Sequence, residues 1–408
     1  MSASEIPALK HGAGVDSDGL HSETLVNDCR VIVRRVEGPK ARELFISVLP
    51  TLQSSEAVDQ TEAAYQAVRC VLQSEGVGFE SVVCETLFHR DLNANLKAVR
   101  TVRDRLVGAA ADAVPVVTEI EQPPLSKHAW LELSIQAIVP IIPTSFEAIR
   151  AGSFCECPEC ERSQGVAVRI DDESRLYSGV LYGAGKSVYE QTRDMFVRAE
   201  EMLHQVGMDF GDVVRTWIYL PKIDRDYADL NRSRRDFFDE RGVNPPPAST
   251  GIGAGLVEPH LVCLRVYAVK GKHALPKILM TTPTLNEAPS YGADFSRGMR
   301  VAESNREILH ISGTASLDET GSTVHVGDFD AQANRMLVNV AALLEAQGAC
   351  FSDVVSAITY VKNPADGDRL KSIFEARGYE GFAHVMVNAA VCRSELLCET
   401  EAIAIVTR

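Results

Sequence analysis

One spacing recurs three times along the chain and constrains its fold more than any other feature. Gln60, Gln191 and Gln332 each stand 16 residues before a glycine (Gly76, Gly207, Gly348). Each glycine in turn stands 6 residues before a Val-Val pair, Val82-Val83, Val213-Val214 and Val354-Val355. Agreement of both offsets in three copies marks a tandem array. The copies start 131 residues apart (60 to 191) and 141 apart (191 to 332), which is the size of a small domain rather than a solenoid turn. The 408 residues are therefore read as three domains.

Each copy has the same coarse pattern. After the Gln, apolar residues at helical spacing, such as Met336, Val340, Leu343 and Leu344, predict a helix of about four turns that the glycine ends in a left-handed conformation. The run beyond it (Val213 to Leu220, Val354 to Val361) is β-branched and aromatic and predicts a strand. A shorter helix follows (Leu92 to Leu106, Tyr227 to Arg241, Asp366 to Arg377), then a closing strand (Leu131 to Val139, Val262 to Val269, Cys398 to Val406). Hairpin strands precede the Gln, clearest at Ile308 to Ser312. The expected fold is α+β, with β-β-α-β-α-β units whose helices cover one side of a mixed sheet. Three such units predict a pseudo-trimeric ring that buries each uncovered sheet face, against the alternative of three beads on a string. The expected divisions are a disordered tail (1–28), a first unit (29–140), a Cys-containing linker (141–164), a second unit (165–272), a linker (273–292) and a third unit (293–408).

Lys+Arg 41 against Asp+Glu 56 gives a net charge of −15, which repels nucleic acid and anionic membranes. An anionic partner must then be a small molecule held in a local basic pocket. Without a signal segment or a run near 18 apolar residues, and with ten cysteines, a soluble cytoplasmic protein with reduced thiols is expected. Cys155, Cys157 and Cys160 form C-x-C-x-x-C with no second pair nearby, which fits a thiol-bearing linker or, with a distant fourth ligand, a structural zinc site. No cofactor is expected. The Gly-rich run at 251–255 ends a domain and opens no helix, unlike a dinucleotide fingerprint.

The third unit, with ILHISGTASLDETGSTVHVGDFDAQ and the closing CETEAIAIV, resembles the Rid (reactive intermediate deaminase) superfamily. Its members are homotrimers with ligand sites at the clefts between subunits, so the resemblance, over about residues 30–408, implies a trimer fused into one chain. The first unit is the most degenerate, with only Glu132 on its closing strand and no SGT loop. RTWIYLPKIDRDYADLNRSRRDFFDERG and PPPASTGIG in the second unit, with YGADFSRG and VCRSELLCETEA in the third, resemble chorismatases. These Rid-related enzymes hydrolyse or rearrange chorismate, releasing pyruvate and a dihydroxylated cyclohexadiene or a hydroxybenzoate. Chorismatases offer no clear counterpart of the first unit. In that family a Cys and a Glu seven positions apart serve the active site, which implies Cys392 and Glu399 here. Rid deaminases hold the substrate carboxylate with an Arg 15 residues before the first Glu of the closing strand. That place is taken by His384 in the third unit and Ser249 in the second. The resemblance thus implies a chorismatase-like hydrolase or lyase, with an imine deaminase or a non-catalytic ligand-binding homologue as the other readings.

Glu399 and Glu401 share one face of the last strand. Two such carboxylates either line a solvated strand face or place a buried acid, with a raised pKa, where it can donate a proton. Cys392 fits a nucleophile or a pocket wall. A carboxylate substrate calls for guanidinium forks, and Arg215, Arg297 and Arg393 are the candidates. Tyr219 and Tyr291 add phenol donors, and Ser249, Thr250, Ser312 and Gly313 add hydroxyl and amide donors. The sequence leaves open whether the ring, itself one chain, pairs with a second copy as a homodimer.

Overall fold

The recurring residues are explained by what they touch. In the computed structural model, which describes residues 20–108, 115–150, 165–272, 275–287, 294–303 and 305–407, each repeated Gln is buried at the start of a helix. Its side chain clamps the loop ahead of the closing strand. Gln60 Oε1 accepts from Trp130 N at 2.7 Å, Gln191 Oε1 from Leu261 N at 2.9 Å, and Gln332 Oε1 from Leu397 N at 2.9 Å. Each repeated Gly adopts the predicted left-handed backbone, with φ of 76°, 73° and 75°, so a side chain there would strain the turn out of the helix. The Val-Val pairs open the strand that follows.

The first unit holds β1 (His21–Val26), β2 (Cys29–Val36), β3 (Ala41–Pro50), α1 (Ala57–Ser74), β4 (Val82–His89), α2 (Leu92–Val107), β5 (Val116–Glu121) and β6 (Leu131–Pro140). The second holds β7 (Thr144–Ile149), β8 (Gly165–Ile170), β9 (Glu173–Ser178), β10 (Leu181–Tyr182), α3 (Val188–Gln205), β11 (Val213–Leu220), α4 (Ile223–Arg241), β12 (Ala248–Gly253) and β13 (Cys263–Gly271). The third holds β14 (Lys277–Leu279), β15 (Gly298–Ala302), β16 (Arg306–Ala315), α5 (Phe329–Glu345), β17 (Val354–Val361), α6 (Gly367–Ala376), β18 (Ala383–Asn388) and β19 (Cys398–Thr407). The first sheet runs β1-β2-β3-β6-β4-β5 and the third β14-β15-β16-β19-β17-β18, the same order. The closing strand lies inside each sheet, antiparallel to both neighbours.

The architecture is α+β, with more strands per unit than the sequence pattern predicts. β5, β12 and β18 each add a parallel edge strand ahead of the closing one. They escape a pattern search because they are six residues long, and one of them, ASTGIG, is rich in Gly. The opposite edges lie in segments expected as tail or linker. β1 falls within 1–28, β7 within 141–164 and β14 within 273–292, each held by antiparallel pairing to the next strand.

The three units close on one another. Backbone bridges join the first to the second (Glu121 to Gly255), the first to the third (Pro124 to Val387) and the second to the third (Ala248 to Ser296). One core cluster draws on all three, including Phe45, Phe88, Trp217, Tyr267, Ile311 and Tyr360. This is a ring, not beads on a string. At its centre Ser134, Arg265 and Glu401, which occupy the same strand position in their units, line a cavity of about 70 Å³. None of the described helices is long and apolar enough to cross a membrane.

Candidate functional site

The register of the sheets defines three equivalent positions, one on each closing strand. Six residues after the first Val of each pair, Phe88, Tyr219 and Tyr360 face Glu132, Cys263 and Glu399 on the closing strands. Burial pushes both Glu132 and Glu399 up to about 8, so the strand position itself favours a neutral carboxyl. What distinguishes Glu399 is its surroundings. It lines a cleft of about 630 Å³ between the second and third units, together with Arg297, Cys392 and Arg393 of the third and Tyr227, Asn231 and Arg234 of the second.

The same register shows that this machinery exists once among the described residues. Gly253 N donates to Ala390 O, Asn388 N to Pro123 O and Glu121 N to Gly255 O, which aligns the three loops that follow. Cys392 and Arg393 then correspond to Leu125 and Ser126 in the first unit and to Val257 and Glu258 in the second. Gly298 and Val33 pair equivalently with Ile311 and Ile46, so Arg297 corresponds to Ile32. The cleft above Glu132 therefore has an acid without these guanidinium groups, and the one above Cys263 has no acid at that position. Among the described residues, the acid and these guanidinium groups coincide in one cleft.

Burial is the largest influence on Glu399, and the like charge of Glu401 acts in the same direction. The cations of Arg215, Arg297 and Arg393 oppose both. A local irregularity positions the carboxyl. Ile311 faces Ala402 and Thr314 faces Thr400, three residues against two, so β16 carries a β-bulge. In the first unit Ile46 and Val48 face Ile135 and Leu133, with no extra residue. The bulge puts Gly313 directly under Glu399, where an added Cβ would lie 2.0 Å from Oε1.

The guanidinium groups surround this acid from both units. Arg297 donates from Nε to Asn286 O at 2.9 Å and lies over the Phe295 ring at 5.7 Å. Arg234, on α4, lies over the same ring at 5.8 Å and donates from Nη2 to Asn231 Oδ1 at 2.6 Å. Arg393 is braced by Gly321 O at 2.7 Å. Ser249 completes the wall from β12.

Several sequence expectations change here. Arg215 and Tyr219 are not in the cleft. With Trp217 they occupy the face of β11 that points to the ring centre, and both are about 1 % exposed. Arg215 Nη2 reaches Glu401 Oε2 at 3.0 Å, and the Tyr219 hydroxyl is enclosed with burial raising its pKa. Thr250 bridges units instead of facing a ligand, accepting from Arg215 Nη2 at 2.5 Å and from Gly313 N at 2.9 Å. Ser312 is wholly buried, accepting from Ser249 N and donating to Ser296 O. Burial pushes the Cys392 thiol up to about 12, so at neutral pH it is a protonated wall rather than a thiolate nucleophile. Tyr291, Cys155, Cys157 and Cys160 lie outside the described residues, and no cluster of metal-ligating side chains occurs among the described ones. Sequence reading passed over Tyr227, Asn231, Arg234 and Phe295.

Comparisons with known proteins agree with this architecture. The family model described as Endoribonuclease L-PSP matches residues 177–269 and 285–406, the second and third units. A RutC family protein of Pyrococcus abyssi is 31 % identical over 120 residues, 29 % of this chain and 91 % of that protein. A 2-iminobutanoate/2-iminopropanoate deaminase of Dermatophagoides farinae is 28 % identical over 124 residues, 28 % of this chain and 91 % of its own length. Each therefore corresponds to a single unit. A chorismatase crystal structure shares the fold, with a TM-score of 0.59 at 19 % identity, covering 80 % of this chain and 94 % of that one. Such coverage exceeds what the second and third units alone could supply, so the likeness reaches into the first unit, contrary to expectation.

Proposed function

As the chain belongs to the Rid family, whose model is described as Endoribonuclease L-PSP, we propose that it is a chorismatase-like enzyme that cleaves the enolpyruvyl ether of chorismate or a closely related carboxylate, with Glu399 as the acid. One observation carries this reading: a neutral, buried carboxyl opens onto a cleft whose guanidinium groups, Arg297 and Arg393 on one side and Arg234 on the other, come from two units. That arrangement suits a small molecule with two carboxylates around an acid-sensitive bond.

The chemistry follows from the protonation state. Glu399 donates its proton to the terminal methylene of the enolpyruvyl group, and positive charge develops at the ether carbon as an oxocarbenium-like centre. Water, or a hydroxyl of the substrate, adds to that carbon. When water adds, the resulting hemiketal collapses to pyruvate and the free ring alcohol, and the proton released on addition restores Glu399. Arg297, Arg393 and Arg234 hold the carboxylates so that the methylene stays over the acid.

The active form is the protonated one. Turnover is therefore expected to fall as pH rises through about 8, the value to which burial lifts Glu399. The deciding measurement is pyruvate release from chorismate across pH 6 to 10. Pyruvate formation with that falling limb supports the proposal. A protein that releases none, yet hydrolyses freshly generated 2-iminopropanoate, is instead a deaminase, as the name of the Dermatophagoides farinae relative suggests. Against the deaminase stands β12, which presents Ser249 to the cleft where that chemistry calls for an arginine.

The arginines allow a second expectation. Replacing Arg393 or Arg234 by Met removes a charge-assisted contact of about 1.5–3 kcal/mol, so KM should rise about 10- to 100-fold with kcat less affected. An unchanged KM in both variants would take the carboxylate contacts away from them.

A further inference from the structure

Arg215 and Glu401 form an ion pair where the three units meet, in a place that substrate does not need to reach. Both are at least 95 % buried. A pair so enclosed contributes little net stability, because desolvating two charges offsets much of their attraction. Its contacts lead elsewhere. Glu401 Oε2 accepts from Arg215 Nη2 at 3.0 Å, and Oε1 accepts from Trp217 Nε1 at 2.7 Å. The same Arg215 Nη2 donates to Thr250 Oγ1 at 2.5 Å, and Thr250 Oγ1 accepts again from Gly313 N at 2.9 Å. Gly313 carries the Glu399 carboxyl directly above it, and the Thr250 methyl lies over the same glycine. The chain begins at Glu401 in the third unit, passes through Arg215 and Thr250 of the second, and returns to the third at Gly313, beneath Glu399.

We propose that the Arg215–Glu401 pair is a positioning device for the catalytic carboxyl: through Thr250 and the Gly313 amide it fixes the floor on which Glu399 rests, and it sets two opposite charges in balance beside that group. The bulge in β16 makes this possible. Gly313 has no partner residue on β19, so its amide is available to Thr250 instead of the strand ladder. The other charged or titratable groups around Glu399 are Arg297 ahead of β15, Cys392 and Arg393 in the loop before β19, and Tyr360 on β17. Asp224, Tyr227, Arg232, Arg234 and Arg235 face the same cleft from α4, and Arg265 and His310 line the ring centre beside the pair. All remain when the pair is altered.

A balanced pair predicts opposite effects from its two halves. Glu401→Gln keeps the shape and one of the two hydrogen-bond acceptors, and leaves the Arg215 cation without its carboxylate partner, so Glu399 should ionise more easily and the falling limb of activity should move to lower pH by about one unit. Arg215→Met leaves the Glu401 charge uncompensated, and the limb should move to higher pH by about one unit. Thr250→Val breaks the chain while keeping both charges, and should lower kcat about tenfold with KM and the limb in place.

The activity arm rests on the proposed role of Glu399, so its ionisation is also to be read directly. The infrared carboxyl band that disappears in Glu399→Gln can be titrated in ligand-free full-length protein. Opposite shifts of that band support the positioning role even if chorismate proves not to be a substrate. Shifts of the same sign, or none, in folded variants overturn it. Should Arg215→Met not fold, an unmoved band in Glu401→Gln alone overturns it.

Discussion

Replacing Glu399 by Gln leaves a folded protein whose turnover is lower by about 10²- to 10⁴-fold, the usual contribution of a positioned proton donor. Gln has the same shape and can occupy the same place above Gly313, but it cannot transfer a proton to a carbon centre. KM should change little, because Arg297, Arg393 and Arg234 are untouched. Stability provides an internal control. The folded state holds this carboxyl neutral up to about 8, against the ordinary 4.5 of a glutamate. Its contribution to stability is therefore fully present below about 4.5 and is lost as pH rises through 8. Gln has no such loss. Thermal unfolding of the variant should thus gain on the parent between pH 5 and 8, by a few kcal/mol at most on the order-of-magnitude scale of such shifts. A variant that keeps its kcat removes Glu399 from the mechanism, and one whose melting temperature tracks the parent at every pH shows that the carboxyl is not held neutral.

The repeat that made the fold legible was legible because it is a physical clamp. A Gln that must hold the loop ahead of the closing strand, a Gly that must take positive φ and a strand that must open on two Val residues all have fixed separations, set by helix length. The acid was legible for a similar reason, since strand alternation put Glu399 and Glu401 on one face. Alternation could not tell what that face looks at. Glu399 borders the cleft and Glu401, two residues on, looks into the ring centre, and the same ambiguity assigned Arg215 and Tyr219 to a site they do not enter. Arg234 was missed for the opposite reason. Its helix carries many charges, and RSRR reads as a solvated face. Yet Arg234 stands four residues after Leu230 and three before Phe237, inside the apolar stripe that packs α4 down, and only 2 % of it is exposed. An arginine in that stripe was the available signal. Leu125 and Ser126 show why the single site was not readable at all. Only register across loops without sequence likeness reveals that they stand where Cys392 and Arg393 stand.

Gly313→Ala tests whether placement of the acid, apart from its presence, matters to the reaction. The new Cβ would lie 2.0 Å from Glu399 Oε1, 2.9 Å from its Cδ and 3.1 Å from the Thr250 methyl. The backbone there does not have positive φ, so alanine meets no conformational strain. The closest contact is the tip of a flexible side chain, which can swing aside at small cost to the fold. The carboxyl then leaves its place by an ångström or more, and displacement on that scale costs about 100-fold in rate. The expected variant melts near the parent, retains much of its affinity for substrate and turns over about 100-fold more slowly. Combining it with Glu399→Gln should add almost nothing to the loss from Glu399→Gln alone, because both changes disable one group. Multiplying losses would mean that Gly313 acts through something other than the acid. An alanine variant within a few-fold of parental activity would show that the close approach between the bulge and the carboxyl is packing, and that the acid works from a position it can regain.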